Sequence, residues 1–171
     1  MRRLGLDAVW WLVSPGNPLK LEAGMAPLAA RLASAHAAAR HPRILPTGIE
    51  AELGTRYTAD TVAALQRHYP QHRFIWLMGA DNLLQFHRWQ RWRTLARAVP
   101  IAILARPHYI GPSLFAPAMA WLRRFRRPVA TARWWTKWET PALVILPVRL
   151  DPRSATAIRS RDPHWADRWL T

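Results

Sequence analysis

The 171-residue chain contains no cysteine, so a disulfide framework and a thiolate metal site are both excluded. Lysine is almost missing: Lys20 and Lys137 are the only two, and the remaining basic side chains are arginine. Acidic residues are scarce as well, 10 against 25 lysines and arginines, which leaves a formal net charge of +15. No apolar run approaches the roughly 20 residues of a membrane-spanning helix. Met1-Arg2-Arg3 is not followed by the apolar stretch of a secretion signal. A soluble protein of the cytoplasm is therefore expected, with no membrane partner.

Half of the residues are apolar, enough for a real core, and the length suits one domain spanning residues 1–171. The arginine excess has two readings. A polyanion such as nucleic acid would be drawn to it. An arginine- and alanine-rich coding bias would produce it with no partner, and the scatter of the arginines along the chain favours this. The densest stretch is Arg123-Arg124-Phe125-Arg126-Arg127, with Arg133 among Trp134, Trp135 and Trp138. Interleaved basic and aromatic side chains can stack on bases; an exposed helix end and a tryptophan-packed loop is the expectation here.

Strand and helix signals alternate. Ala8–Val13 reads as a buried strand, stopped by the breaker cluster Ser14–Pro18. Met25–Ala38 reads as a helix, Arg43–Leu45 as a short strand before Pro46, and Thr58–His68 as a helix with Thr58 as its N-cap. Phe74–Met78 is an apolar run that stops at Gly79-Ala80-Asp81. Two short amphipathic segments follow it, and then a second apolar run, Ile101–Ala105, ends at Arg106-Pro107. Leu114–Arg124 is expected to be helical, Ala142–Val148 a buried strand, Ser154–Arg161 a capped helix and His164–Leu170 a last short one. Strands alternating with helices predict a parallel sheet, whose ligands bind at the carboxyl ends of the strands.

Several residues near those ends could carry chemistry. Asp81, beside Gly79, could accept hydrogen bonds from ribose hydroxyls; by spacing alone, capping the next helix is the stronger reading. Trp89 is one of eleven tryptophans and by itself reads as core or half-buried surface. Tyr57-Thr58 reads as a plain helix start, and Lys20 as a solvated loop charge. Ser154 and Thr156 at a helix start, with Arg159 one turn in, could bind phosphate oxygens through hydroxyls, free N–H groups and a bidentate guanidinium. A bare capped helix would look the same.

Taken in order, these segments resemble a known family. Gly79–Trp89 matches a GADxLxxFxxW stretch followed by a strand ending in Arg-Pro, and Arg56–Thr61 is similar to SYTxxTL. Pro15–Lys20 stands where a loop ends in Pro-Pro-His-Lys, with Leu19 replacing the His, and Arg153–Arg159 matches ISxTxxR. All belong to the nicotinate-nucleotide adenylyltransferases of the HxGH nucleotidyltransferase superfamily, and the matches cover roughly residues 8–161. The resemblance implies an α/β fold with a Rossmann-like parallel sheet of the nucleotidyltransferase type. It implies transfer of AMP from ATP to nicotinate mononucleotide, giving deamido-NAD and pyrophosphate in NAD biosynthesis, with Mg²⁺ on the ATP phosphates. Ser154 and Arg159 would position the ATP phosphates. Lys20, Tyr57, Thr58, Gly79, Asp81, Trp89, Arg106 and Thr156 would bind substrate. Among these, Asp81 would hold the ribose, Trp89 would stack on the nicotinate ring, and Lys20 would touch a phosphate. Thr58 and its helix start would help hold the nicotinate end. Backbone N–H groups from Gln90 onward would face the nicotinate carboxylate, favouring the acid over the amide. No protein metal site is implied.

The family's opening GGSFNPxHxGH-like strand and helix are not in this sequence, and its seven histidines form no HxGH pair. The sheet is therefore expected to lack its first strand and the HxGH-bearing helix start, with Met1–Gly5 as the tail of that helix. Either the start lies upstream or the product is damaged; the chain alone is expected to be inactive and poorly soluble. Two other functions stay in view: a non-catalytic basic module binding nucleic acid through Arg123–Arg133, and an adenylyltransferase for phosphopantetheine or nicotinamide mononucleotide. The GAD and YTADT elements speak against the latter.

Overall fold

The computed structural model describes residues 1–16, 25–105, 109–148, 162 and 164–170. The chain divides into two compact units, Met1–Arg56 with Arg153–Thr171, and Tyr57–Pro152.

The first unit opens with one 3₁₀ turn, Arg2–Leu4, closed by Gly5 at φ 60°, a left-handed position that glycine takes without strain. β1 (Val9–Leu12) pairs in parallel with β2 (Ile44–Thr47), in the register Val9↔Ile44 to Leu12↔Thr47. Parallel strands need a crossover, and α1 (Leu28–Ala38) lies within it. The helix starts three residues later than Met25, because Pro27 disfavours helical backbone at Ala26; the Pro27 carbonyl accepts the first helical bond, from Arg31 N at 3.1 Å.

β2 was expected to stop before Pro46 and instead runs through it. The carbonyls of Arg43 and Thr47 accept from Val9 N and Val13 N, so alternation turns the missing N–H of Pro46 away from β1 and no ladder bond is lost. A short helix that the sequence did not announce, α2 (Ile49–Glu52), follows; its first N–H donates to Thr47 Oγ1 at 3.1 Å. The expected helix over 164–170 is a single 3₁₀ turn, Asp167–Trp169, packed on α1.

The second unit opens with α3 (Thr58–His68), which has the expected span. Its cap differs: extended Tyr57 is the N-cap, and its carbonyl accepts from Asp60 N at 2.9 Å and Thr61 N at 3.0 Å, so Thr58 lies inside the first turn. Ala59, Val62 and Leu65 form the buried stripe. Then come β3 (Trp76–Gly79), α4 (Ala80–Gln85), a 3₁₀ turn Phe86–Arg88, α5 (Trp92–Ala98) and β4 (Ile101–Leu104). The continuous helix expected over Leu114–Arg124 is broken into α6 (Ile110–Ser113), α7 (Met119–Leu122) and a 3₁₀ turn, Arg123–Phe125. Pro117 explains the break, since the residue before a proline is pushed out of the helical region. The tryptophan-rich stretch Val129–Lys137 winds as 3₁₀ turns kinked at Trp134.

β5 (Leu143–Leu146) completes a parallel sheet in the order β3-β4-β5, with Trp76, Ile101 and Leu143 in register. Ile101, Ala102 and Ile103 of the central strand are fully buried, and all four residues of β5 are buried. Unbroken apolar strands of this kind are what a parallel sheet covered on both faces requires. Leu83, Phe86, Leu95, Leu122 and Leu143 pack beside them in one core. The molecule is thus mixed α/β with parallel sheets, as its alternating pattern predicts.

Candidate active site

At the carboxyl end of β3 the chain turns straight into α4. Gly79, extended at φ −73° and ψ 157°, is the N-cap, and Asp81 is the second helical residue. Asp81 is therefore not the cap that spacing suggested; it is a first-turn carboxylate next to the positive end of a short helix. Its Oδ1 is shut off from solvent while the residue as a whole is half-buried.

Trp89 follows the 3₁₀ turn, half-buried, its N–H bonded to Phe86 O at 3.0 Å. Phe86 meets its ring edge-to-face at 5.3 Å and 71°, and Trp76 does so at 6.3 Å and 80°. Among the described residues no aromatic ring lies parallel to it. These two rings hold the indole by contacts worth about 0.5–1.5 kcal/mol each, without a stacked partner. The helix expected from Gln90 onward starts two residues later, at Trp92, and the Trp92 N–H is already bonded to Trp89 O at 3.2 Å. Gln90 thus belongs to the turn, and the first N–H of α5 is used by the protein.

One link between α3 and this turn was invisible in the sequence. Asp60, in the first turn of α3, pairs with Arg91, the left-handed (φ 53°) N-cap of α5. The ion pair brings the Tyr57-Thr58 helix start next to the turn that carries Trp89. The N-cap Tyr57 makes no side-chain capping bond, and both Tyr57 and Thr58 are half-buried. Only the pairing of an acidic first-turn residue with an arginine 31 positions away could have signalled this, and many such pairs exist in an arginine-rich chain.

In the first unit, a half-open cavity of about 540 Å³ is lined by residues including Ser14, Gly16, Arg31, Thr55 and Arg56. Its described lining residues include two guanidinium groups, those of Arg31 and Arg56. Burial draws the Arg31 pKa down from its ordinary value. Lys20, Arg106, Ser154, Thr156 and Arg159, with the helix expected over 154–161, lie outside the described residues. No group of three or more His, Asp or Glu able to hold a metal occurs among the described residues. No helix among them is long and apolar enough to cross a membrane.

The family model that matches this chain is described as cytidylyltransferase-like and covers residues 1–161. A protein of Erythrobacter litoralis named "Probable nicotinate-nucleotide adenylyltransferase" is 54% identical over 169 residues, covering 99% of this chain and 77% of the relative. A Cereibacter sphaeroides protein of the same name is 51% identical over 163 residues, covering 94% and 84%. One from a Bradyrhizobium species is 47% identical over 165 residues, covering 96% and 86%. With parallel α/β topology, the GAD turn at the end of β3 and similarity of this extent, the chain belongs to the cytidylyltransferase-like family and, within it, to the nicotinate-nucleotide adenylyltransferases.

Proposed function

We propose that the protein binds nicotinate mononucleotide and ATP and serves the transfer of AMP between them, in the cytoplasm, giving deamido-NAD and pyrophosphate. The observation that carries this reading is the Asp60–Arg91 pair, which draws the Tyr57-Thr58 helix start to the Trp89 turn within one unit. With Asp81 at the end of β3, that region offers a carboxylate for ribose hydroxyls and an aromatic face for a pyridine ring. Trp89 stacks on the ring, Thr58 and its helix start meet the nicotinate end, Gly79 and Asp81 meet the ribose, and Lys20 and Arg106 add charge for phosphates. Ser154, Thr156 and Arg159 hold the ATP phosphates.

The reaction needs no covalent intermediate. A phosphate oxygen of the mononucleotide attacks the α-phosphorus of ATP, and the bond to the β-phosphate oxygen breaks to release pyrophosphate. The chain's residues contribute alignment of the two phosphates and positive charge around them. Mg²⁺ would enter as the ATP complex, held by phosphate oxygens. Calorimetry with nicotinate and nicotinamide mononucleotides is the test. Binding of the acid, tighter than of the amide, is expected; no binding, or preference for the amide, overturns the reading.

A further inference from the structure

Trp92, the first residue of α5, is not among the residues assigned to substrate above, yet it reaches Trp89 by two routes. Its main-chain N–H donates to Trp89 O at 3.2 Å. Its indole meets Phe86 at 5.5 Å and 62°, and Phe86 in turn meets Trp89 at 5.3 Å and 71°. Phe86 is fully buried, so it transmits contact between the two half-buried indoles instead of yielding. Trp92 is itself braced. Trp121 of α7 meets it edge-on at 5.5 Å and 87°, and Trp121 packs on Phe125 at 4.9 Å.

The two indoles beside Phe86 are not equivalent. The Arg93 guanidinium lies over the Trp92 ring, 4.9 Å from its centroid. Among the described residues neither a guanidinium nor a parallel ring lies over Trp89. Trp92 is thus built as a support and Trp89 as an open face. An indole that receives a flat ring binds it more tightly when already held, because ordering a side chain on binding subtracts from affinity.

We infer that Trp92 is a positioning residue: its ring, acting through Phe86, fixes the plane in which Trp89 meets the nicotinate ring. This rests on the stacking role proposed for Trp89, so the test pairs a measurement of substrate with one that needs none. Trp92→Leu removes the ring, whereas Trp92→Phe keeps one that can meet Phe86 edge-on. The whole protein and each variant are labelled with fluorotryptophan, and the fluorine resonance of Trp89 is identified by its loss in Trp89→Phe. The number and width of the Trp89 signals without ligand, and the affinity for nicotinate mononucleotide, are measured, with Tm as a control for the fold.

Trp92→Leu is expected to split or broaden the Trp89 signal and to weaken the mononucleotide about fivefold, and Trp92→Phe to restore most of both. A Trp89 signal unaltered in Trp92→Leu overturns the inference, as do equal losses in the two variants, since a ring at this position would then count for nothing. An altered signal with unaltered affinity overturns the positioning role. Where Trp92→Leu unfolds at the assay temperature, Trp121→Leu takes its place, because it withdraws the brace and leaves Phe86 and Trp92 intact. If the wild-type protein binds no mononucleotide, the functional reading fails, and the fluorine spectra still decide whether Trp92 fixes the Trp89 ring.

Discussion

Trp89 is held by Phe86 and Trp76 at steep angles and has no parallel ring against it among the described residues. If its face takes the pyridine ring, Trp89→Ala should weaken nicotinate mononucleotide by about 1–3 kcal/mol, on the scale of aromatic stacking losses. Trp89→Phe should recover much of that loss, and calorimetry separates the two variants. Affinity unaltered in Trp89→Ala would make the indole a packing residue only. The Asp60–Arg91 pair gives a second prediction. Its side chains are 50% (Arg91) and 38% (Asp60) exposed, so Asp60→Asn should cost no more than about 1 kcal/mol of stability. The same change should weaken the mononucleotide severalfold, because it frees the Trp89 turn from the start of α3. Equal losses of stability and affinity would show that the pair acts only on the fold. Asp81 illustrates how residue-level reading fails: its spacing suggested a cap, but the helix begins directly after the strand, so Gly79 takes that position.

At the scale of elements, hydrophobic pattern was a good guide wherever a segment buries a regular face. Helix α3 and strands β1, β4 and β5 lie within the predicted segments because their apolar residues recur at helical spacing or run unbroken. The pattern failed where proline redirected it: at Pro27, which delays α1; at Pro46, which a strand tolerates on its unpaired side; and at Pro117, which divides the helix expected over 114–124. Elements of three or four residues, such as α2 and the 3₁₀ turns, have too few positions for any period to show. The sheet also yields a stability prediction. Ile103 is completely buried at the centre of β3-β4-β5, so Ile103→Ala should cost about 2–5 kcal/mol in denaturant unfolding. Trp11→Ser, at a β1 side chain 43% exposed, should cost much less. Similar losses would mean that Trp11 is covered in solution.

For the whole molecule, the question is what the +15 charge does. Arg93, Arg97 and Arg124 lie over the rings of Trp92, Trp121 and Phe125 at 4.9–6.0 Å, so part of the arginine excess caps tryptophans on the protein's own surface. Self-stacked guanidinium groups of this kind agree with the reading in which the arginines need no nucleic-acid partner. Binding of a single-stranded oligonucleotide is therefore expected to be weak and to vanish between low and physiological salt, following counterion release. Tight binding that persists at physiological salt would restore the alternative of a basic nucleic-acid-binding module.

The family and the alternation of strands and helices were legible in the sequence. Motifs such as GADNLLQFHRW are local, and apolar periodicity is set by burial that each segment meets in its own unit. Tertiary structure alone decided that Asp60 finds Arg91, that Trp76 meets Trp89 edge-on, and that Arg31 donates to the carbonyls of Ser14 and Pro15. Those contacts join residues whose separation along the chain carries no signal. A guanidinium can pair with any carboxylate or carbonyl that the fold brings within reach, and only the packed chain selects which.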